Sequence, residues 1–192
     1  MKLRLLLLPF LLACALSAHA QSQFDINGAG FGNFTKSTSG NGLTQSQKTS
    51  VGFQIGFRHY RSPLFGWEIS YSYNPARQEY GGTGYGYQSA QEHNASADYV
   101  VHMPLTHVVK PFALIGPSIL FFRPLYGTAL ATSIRPAVSY GAGADIALFP
   151  RLGLRLQYRG LFYRAPDFEQ AAYSTSSWTT QAQPMAGLYF KF

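Results

Sequence analysis

Apolar and polar side chains alternate over residues 152–159, and residues 140–149 mirror this pattern on the other side of Pro150. A period of two is that of a β-strand, because successive side chains point to opposite faces. Symmetric pairing about Pro150 therefore predicts a β-hairpin with one apolar face and one face of paired charge. The pairs that this hairpin predicts are Asp145 with Arg155, Ile146 with Leu154, and Ala144 with Leu156.

The same alternation recurs along the chain and predicts eight strands, each near the roughly 9–11 residues that a tilted membrane strand needs. The longest charge-free apolar stretch, residues 111–122, is shorter than the roughly 20 residues of a spanning helix and contains Pro117. It is therefore read as a strand. The predicted strands are Phe24–Phe34, Ser50–Tyr60, Gly66–Asn74, Asn94–Met103, Pro111–Phe122, Pro136–Ala147, Leu152–Tyr163 and Pro184–Phe192.

The connections between these strands alternate in length. Outer-membrane barrels have short periplasmic turns and long extracellular loops, so the alternation predicts an all-β protein, an eight-stranded antiparallel up-and-down transmembrane β-barrel with both ends of the chain in the periplasm. The short connections are Arg61–Phe65, Pro104–Lys110 and Leu148–Arg151. The long ones are Thr35–Thr49, Pro75–His93, Arg123–Arg135 and Arg164–Gln183.

Alternation alone does not say which face points inward, because a soluble barrel has the same period with apolar side chains inside. Aromatic residues at both ends of the apolar faces favour a membrane barrel, since such residues form belts at the two lipid interfaces. Pairing across the Arg61–Phe65 turn sets Phe57 beside Trp67. The inward face of the first and fifth strands stays open. The predicted belt residues are Phe57, Tyr60, Phe65 and Trp67 at the short turns, and Tyr71, Tyr73, Tyr158 and Phe162 at the long loops.

The last strand places Leu188, Phe190 and Phe192 on one face. This pattern resembles the C-terminal assembly signal of bacterial outer-membrane proteins, which the barrel-assembly machinery reads. Together with residues 141–145 and 152–159, it makes the chain similar to the OmpA/OmpX-like eight-stranded bacterial outer-membrane β-barrel family. The resemblance implies a location in the outer membrane of a Gram-negative cell and contact with its lipid and lipopolysaccharide.

The N-terminus predicts a signal peptide over residues 1–20, followed by a barrel domain over residues 21–192. Lys2 and Arg4 precede an apolar run, and Ala18-His19-Ala20 forms a small-x-small cleavage site. Cleavage before Cys14, with lipidation of that residue, is the alternative. Ordinary cleavage removes the single cysteine, which leaves the mature chain without disulfides. Export and the lack of a clustered basic motif argue against a nucleic-acid partner.

Charged residues are predicted on the inward faces, four acids and four bases. An eight-stranded barrel has an interior just wide enough for side chains, and an unpaired charge there would be costly. We therefore expect a structural charge network that closes the lumen, with a gated ion path in a small channel as the alternative. The predicted network is Asp25, Arg58, Glu68, Asp98, Asp145, Arg155, Arg159 and Lys191, with His102 beside it.

A lipid A-modifying outer-membrane enzyme is the other alternative. A deacylase of that class pairs a histidine with a serine two residues on, whereas His93 and Ser96 are three apart, and His59 and His107 belong to the periplasmic side. The glycine-rich segment 81–86 lacks the lysine and the strand–helix context of a phosphate loop. We therefore expect no catalytic residue, no cofactor and no metal.

The sequence thus favours a non-enzymatic, monomeric barrel with a structural or surface-interaction role. An extracellular ligand would meet the long loops. These loops are rich in tyrosine, which offers a large contact area at low cost in conformational entropy. The loop tyrosines are Tyr80, Tyr85, Tyr87, Tyr126 and Tyr173.

Overall fold

The computed structural model describes residues 23–81, 86–103, 106, 108–125 and 130–192. The predicted signal peptide with Cys14, and also Tyr85, His107 and Tyr126, lie outside the described residues. The strands are β1 (Gln23–Thr35), β2 (Thr38–Gly40), β3 (Leu43–Gln47), β4 (Ser50–Tyr60), β5 (Phe65–Gly81), β6 (Tyr87–His102), β7 (Val109–Pro124), β8 (Ser133–Ala147), β9 (Leu152–Arg164) and β10 (Trp178–Lys191). A 3₁₀ turn covers Ala171–Tyr173.

Eight of these strands close into an antiparallel barrel in the order β1, β4, β5, β6, β7, β8, β9 and β10. The ring closes because β10 pairs with β1 as well as with β9. The predicted eight-stranded antiparallel barrel is confirmed. Among the described residues, no helix has the length and apolar character needed to cross a membrane.

The β8–β9 hairpin has the predicted register. Asp145 lies opposite Arg155, Ile146 opposite Leu154, and Ala144 opposite Leu156. The turn over residues 148–151 is closed by the backbone amides of Leu148 and Phe149, which donate to the carbonyl oxygen of Leu152 at 3.1 and 2.8 Å. We call this end of the barrel the short-turn end and the opposite end the long-loop end.

The register predicted for the β4–β5 hairpin is wrong by two residues. Phe57 lies opposite Ile69, and His59 lies opposite Trp67. The cause is the turn, where the Ser62 hydroxyl accepts the backbone amide of Phe65 at 3.0 Å. A shift of two does not exchange the two faces of the hairpin, and it places Arg58 directly opposite Glu68.

The two faces that the sequence left open are fixed by the structure. In β1 the inward residues are Asp25, Asn27, Phe31 and Asn33, all buried. In β7 most inward residues are apolar: Phe112, Leu114, Leu120 and Phe122 are buried, with the buried Ser118 between them. The lumen therefore holds an apolar part, and for this reason β7 carries apolar residues on both faces.

Aromatic side chains lie on the outer surface near both ends. Phe57, Trp67 and Tyr71 are exposed, as are Tyr158 and Phe162. Tyr60, however, was predicted in this belt and instead points inward, with its hydroxyl donating to Asp25. It has the parity of Arg58, so it belongs to the lumen face of β4.

Several predicted long loops are largely strand. The connection predicted over 75–93 is replaced by extensions of β5 and β6, which pair from Phe65 opposite Val101 to Glu79 opposite Tyr87. Pro75 does not interrupt β5, because pairing with β4 ends at Tyr73 and pairing with β3 begins at Gln78. The missing amide of the proline thus falls between two partners.

The connection predicted over 35–49 contains the β2–β3 hairpin. Asn41 and Gly42 form its turn with φ angles of 53° and 76°. Both angles are those of a type I′ turn, for which Asn-Gly is the favoured sequence. The β3 strand continues the sheet along β5, and β10 begins at Trp178, inside the segment predicted as the fourth loop.

Candidate functional site

The barrel interior holds a group of buried charged side chains. Four neighbouring strands each contribute one charge at directly opposed positions in the register. Asp25 lies opposite Arg58, Arg58 opposite Glu68, and Glu68 opposite Asp98. Strands β8 and β9 add the remaining members. We call the following seven buried residues the ionic cluster: Asp25, Arg58, Glu68, Asp98, Asp145, Arg155 and Arg159.

Glu68 stands at the centre of the ionic cluster. Its Oε2 atom lies 2.8 Å from Arg58 Nη2 and 3.3 Å from Arg155 Nη1, and its Oε1 atom lies 3.1 Å from Arg159 Nη2. One carboxylate therefore contacts all three guanidinium groups. This sharing is needed because ions in a space closed to water must be neutralised by one another.

Arg155 connects the carboxylates of the short-turn half. Its Nε atom donates to Asp145 at 2.7 Å, and its Nη2 atom donates to Asp25 at 3.0 Å. Arg58 adds a second, longer contact to Asp145 at 3.4 Å. His102 lies at the edge, with its Nε2 atom 3.2 Å from Arg58 Nη1.

Arg159 forms the part of the ionic cluster nearest the long-loop end. It donates to Asp98 at 3.1 Å, to the Ser70 hydroxyl at 2.8 Å and to the Gln54 carbonyl at 2.7 Å. In the described part of the chain, Asp98 has no other cationic partner. The Ser96 and Ser139 hydroxyls donate to the same carboxylate.

Of the eight predicted charges, the structure brings seven together in the ionic cluster and leaves Lys191 apart. Its Nζ atom lies 5.4 Å from the ring centre of Tyr60 and 5.3 Å from that of Tyr189. The cluster also has an apolar neighbour: the guanidinium of Arg58 stacks 4.3 Å from the ring centre of Phe112.

A second polar cluster, of carboxamides around one carboxylate, lies nearer the long-loop end and was not predicted from the sequence. Glu92 is its centre and accepts from Gln181 at 2.7 Å and from Gln47 at 3.1 Å. Gln78 then donates to Gln47 at 2.9 Å. Glu92 shares the parity of Asp98, so extending the alternation of β6 by six residues would have found it.

In the long-loop half of the barrel, the wall opposite Glu92 is apolar. Loop residues 165–177 fold over the barrel mouth and insert Phe168. Burial raises the pKa of the neighbouring Tyr80 hydroxyl, and the Tyr173 and Asp167 side chains raise it further, so Tyr80 stays protonated. We call the following buried residues the apolar cap: Tyr80, Ala90, Leu120, Phe122, Ala137, Leu161, Tyr163 and Phe168.

The loop that carries Phe168 is tied to the barrel on several sides. Asp167 forms an ion pair with Arg135 on β8. The Pro166 carbonyl accepts from Gln45 on β3 at 3.1 Å, and the Ser174 carbonyl accepts from Asn41 at 2.9 Å. This segment was expected to be an open loop, but it is anchored to β3, to β8 and to the β2–β3 turn.

His93 and Ser96 do not form a catalytic dyad. His93 faces outward and its Nδ1 atom lies 2.6 Å from the Tyr71 hydroxyl, whereas Ser96 faces inward and contacts Ser70 at 2.8 Å. The two residues of the suspected dyad therefore lie on opposite faces of β6. In the described ranges, no group of three His, Cys, Asp or Glu side chains is placed to hold a metal ion.

A closed antiparallel barrel with lipid-facing aromatics and an ion-filled interior is the architecture of small outer-membrane proteins. The sequence matches the family model described as "Outer membrane protein beta-barrel domain" over residues 6–190. The chain belongs to this outer-membrane β-barrel family. Membership places the protein in the outer membrane. The sequence has no significant match among curated proteins.

Solved outer-membrane barrels share the fold at low sequence identity. Neisserial surface protein A (NspA) superposes with a TM-score of 0.63 at 14% identity, over 90% of this chain and 100% of that one. OprG from Pseudomonas aeruginosa gives 0.64 at 12%, over 91% and 97%. Ail, the attachment invasion locus protein of Yersinia pestis, gives 0.58 at 15%, over 90% and 100%.

Proposed function

We propose that this family member is a non-enzymatic barrel with a closed lumen that presents a rigid extracellular surface for interaction with other molecules. The observation that carries the proposal is the filling of the lumen. The ionic cluster occupies the short-turn half, and the carboxamides around Glu92 and the apolar cap occupy the other half. An interior filled in this way supports a structural and surface role over transport.

In the proposed orientation the short-turn end faces the periplasm and the long-loop end faces outside, as in other barrels of this kind. Strands β5 and β6 have 17 and 16 residues, well beyond the roughly 9–11 that cross the membrane. With β2 and β3 alongside, they form a sheet that projects from the outer surface. Paired strands hold such a surface in one shape, which lowers the entropy cost of binding.

The charge of the long-loop end favours an anionic partner. Arg77 lies 3.7 Å from Glu79, and Arg135 pairs with Asp167. Within the described residues, the other bases of this end have no ion pair. These bases are Lys36, Lys48, Arg123 and Arg164. Lipopolysaccharide phosphates are one anion within their reach, and the solved Ail structure contains a heparin analogue, sucrose octasulfate.

The first test is conductance. The purified protein, inserted into a planar bilayer, is expected to give no discrete current steps under voltages of either sign. Lipid A from cells that express the protein is expected to have the same mass spectrum as lipid A from cells that lack it. Regular single-channel openings would contradict the closed lumen, and a changed acyl pattern would contradict the non-enzymatic role.

The second test concerns the surface. The protein in detergent is expected to elute from heparin resin at a lower salt concentration when Lys36 and Lys48 are both changed to Gln. The matched control removes the same charge at the other end through Arg61→Gln and Arg151→Gln, and it is expected to elute near the parent. Equal shifts for both variants would show that only net charge matters.

A further inference from the structure

A cavity of about 370 Å³ opens at the short-turn end, beneath the ionic cluster. Its walls combine Asp145 and Tyr189 with the turn that follows β8, where Leu148 and Phe149 are exposed. The closed lumen of the proposed function assigns no role to this space, and Asp145 is the one member of the ionic cluster among its described lining residues. In the proposed orientation the cavity opens toward the periplasmic side.

Two half-buried lysines, Lys110 and Lys191, line this cavity. Asp145 and Asp25 stand opposite them in the strand register. Both carboxylates are already engaged by Arg155, at 2.7 and 3.0 Å. Across the described chain, neither lysine lies within 4 Å of a carboxylate, and both line the same cavity.

Counted over side chains, the ionic cluster and the two lysines together leave one positive charge over. The ionic cluster holds four carboxylates and three guanidinium groups, an excess of one negative charge. The two lysine ammonium groups exceed that by one. The short turns add Arg61 and Arg151, both exposed, and no acid. The acids outside the ionic cluster all lie toward the long-loop end: Glu79, Glu92, Asp167 and Glu169.

We propose that this cavity is an anion site for a phosphate group, held between the ammonium groups of Lys110 and Lys191. A dianion placed between two cations removes their mutual repulsion, and lysine serves in proteins as a point charge for phosphate. The rings of Tyr60 and Tyr189 stack on Lys191 and keep its ammonium group at the cavity wall. The aliphatic and aromatic turn residues suit the organic part of a phosphate ester.

The test is an NMR titration of the refolded protein in a phosphate-free maltoside detergent. Addition of inorganic phosphate is expected to shift the backbone amides of Ala147 and Lys191 with saturation, while sodium chloride at equal ionic strength leaves them in place. Lys110→Gln and Lys191→Gln are each expected to weaken binding by about tenfold, as loss of a charge-assisted contact predicts. Lys48→Gln, at the other end, is the matched control and keeps the parent affinity.

Two further arms identify the source of the phosphate. Glycerol phosphate represents a soluble ester, and nanodiscs of phosphatidylglycerol, compared with phosphatidylcholine, represent an anionic headgroup. Saturable shifts at the same amides with either probe support the site and name its source. A flat titration with all probes, or equal binding by Lys110→Gln and the parent, overturns the proposal. Lys191 lies next to the predicted assembly signal. If Lys191→Gln fails to fold for that reason, the result for Lys110→Gln decides the test.

Discussion

Glu68 contacts three arginines, whereas the other carboxylates of the ionic cluster have fewer guanidinium partners. Asp145 has two guanidinium partners, Arg155 and Arg58, at 2.7 and 3.4 Å. Asp98 has one, Arg159, at 3.1 Å. A buried ion pair contributes little net stability when complete, but removal of one partner leaves a charge that water cannot reach. Asp25 also has a single guanidinium partner, Arg155. The Arg159–Asp98 pair is therefore one of two points at which the ionic cluster depends on a single ion pair.

Arg159→Met is expected to lower the free energy of unfolding by about 3–5 kcal/mol, because it strands Asp98 in the lumen. The double variant Arg159→Met with Asp98→Asn is expected to regain at least half of that loss, since no bare charge remains. Urea titrations in lipid vesicles, followed by tryptophan fluorescence, measure both values. Arg164→Met, an exposed change on the same strand, is the control and is expected to cost less than about 0.5 kcal/mol. Additive losses from Arg159→Met and Asp98→Asn would contradict the coupling.

At the scale of elements, the loop of residues 165–177 behaves as part of the barrel rather than as a free connection. Phe168 is fully buried in the apolar cap with a φ angle of 50°, a conformation that few non-glycine residues adopt. The packing of the ring holds the backbone there, and the Arg135–Asp167 ion pair fixes the approach of the chain. The loop therefore closes the mouth as one unit.

Phe168→Ala is expected to release this loop without unfolding the barrel. Removal of a buried phenyl ring costs about 3–5 kcal/mol of packing, which exceeds what the remaining contacts of a short loop supply. Limited proteolysis should then cut within residues 165–177, while the mobility of the barrel on unboiled gels stays that of the parent. Tyr87→Ala, at an exposed tyrosine at the start of β6, is the control and should leave the loop of residues 165–177 protected. Resistance of Phe168→Ala to the protease would show that the polar contacts suffice.

The strands whose apolar and polar residues alternate cleanly could be predicted from the sequence. For β8 and β9 the pairing register was predicted as well. The extensions of β5 and β6 could not, because beyond Tyr73 neither face is apolar and Pro75 resembles a terminator. Their pairing depends on inward amides such as Gln78, whose partners lie on other strands. Tyr60 was misplaced because a tyrosine suits a lipid interface and an ionic interior equally well.

At the scale of the molecule, the barrel has no free edge across its membrane part, since β10 pairs with β1. All backbone donors and acceptors of a spanning strand must be satisfied inside the protein, and closure alone achieves this. The candidate site follows from the same geometry. Parity identified the seven charges of the ionic cluster from the sequence, whereas the apolar cap depends on a loop that folds back, which no local pattern encodes.

Closure predicts that the folded protein resists SDS at room temperature and unfolds only on boiling. The unboiled form is expected to run at a different position on a gel from the boiled form. Arg164→Met should show the same two bands as the parent, because it leaves the ring intact. A single position before and after heating would argue against a closed barrel.

Phe192→Ser is expected to reduce the amount of barrel that reaches the outer membrane in cells, because Phe192, which follows β10, belongs to the predicted assembly signal. The same variant, refolded in detergent, should keep the parent stability within about 0.5 kcal/mol, since Phe192 is 65% exposed. Phe149→Ser, at a phenylalanine that is 66% exposed, is the matched control for lost surface hydrophobicity. Equal losses in cells for both variants would contradict a specific role of the C-terminus.

The pairing of β1 with β10 joins the two ends of the chain in sequence, and the contact from Asp25 to Arg155 spans 130 residues. Contacts of such high order form late and slowly, because the intervening chain must be confined first. The ionic cluster is complete only once the ring has closed. Opening the ring would expose both unpaired strands and unpaired ions to lipid, so the barrier to unfolding is high and the lifetime of the folded barrel is long.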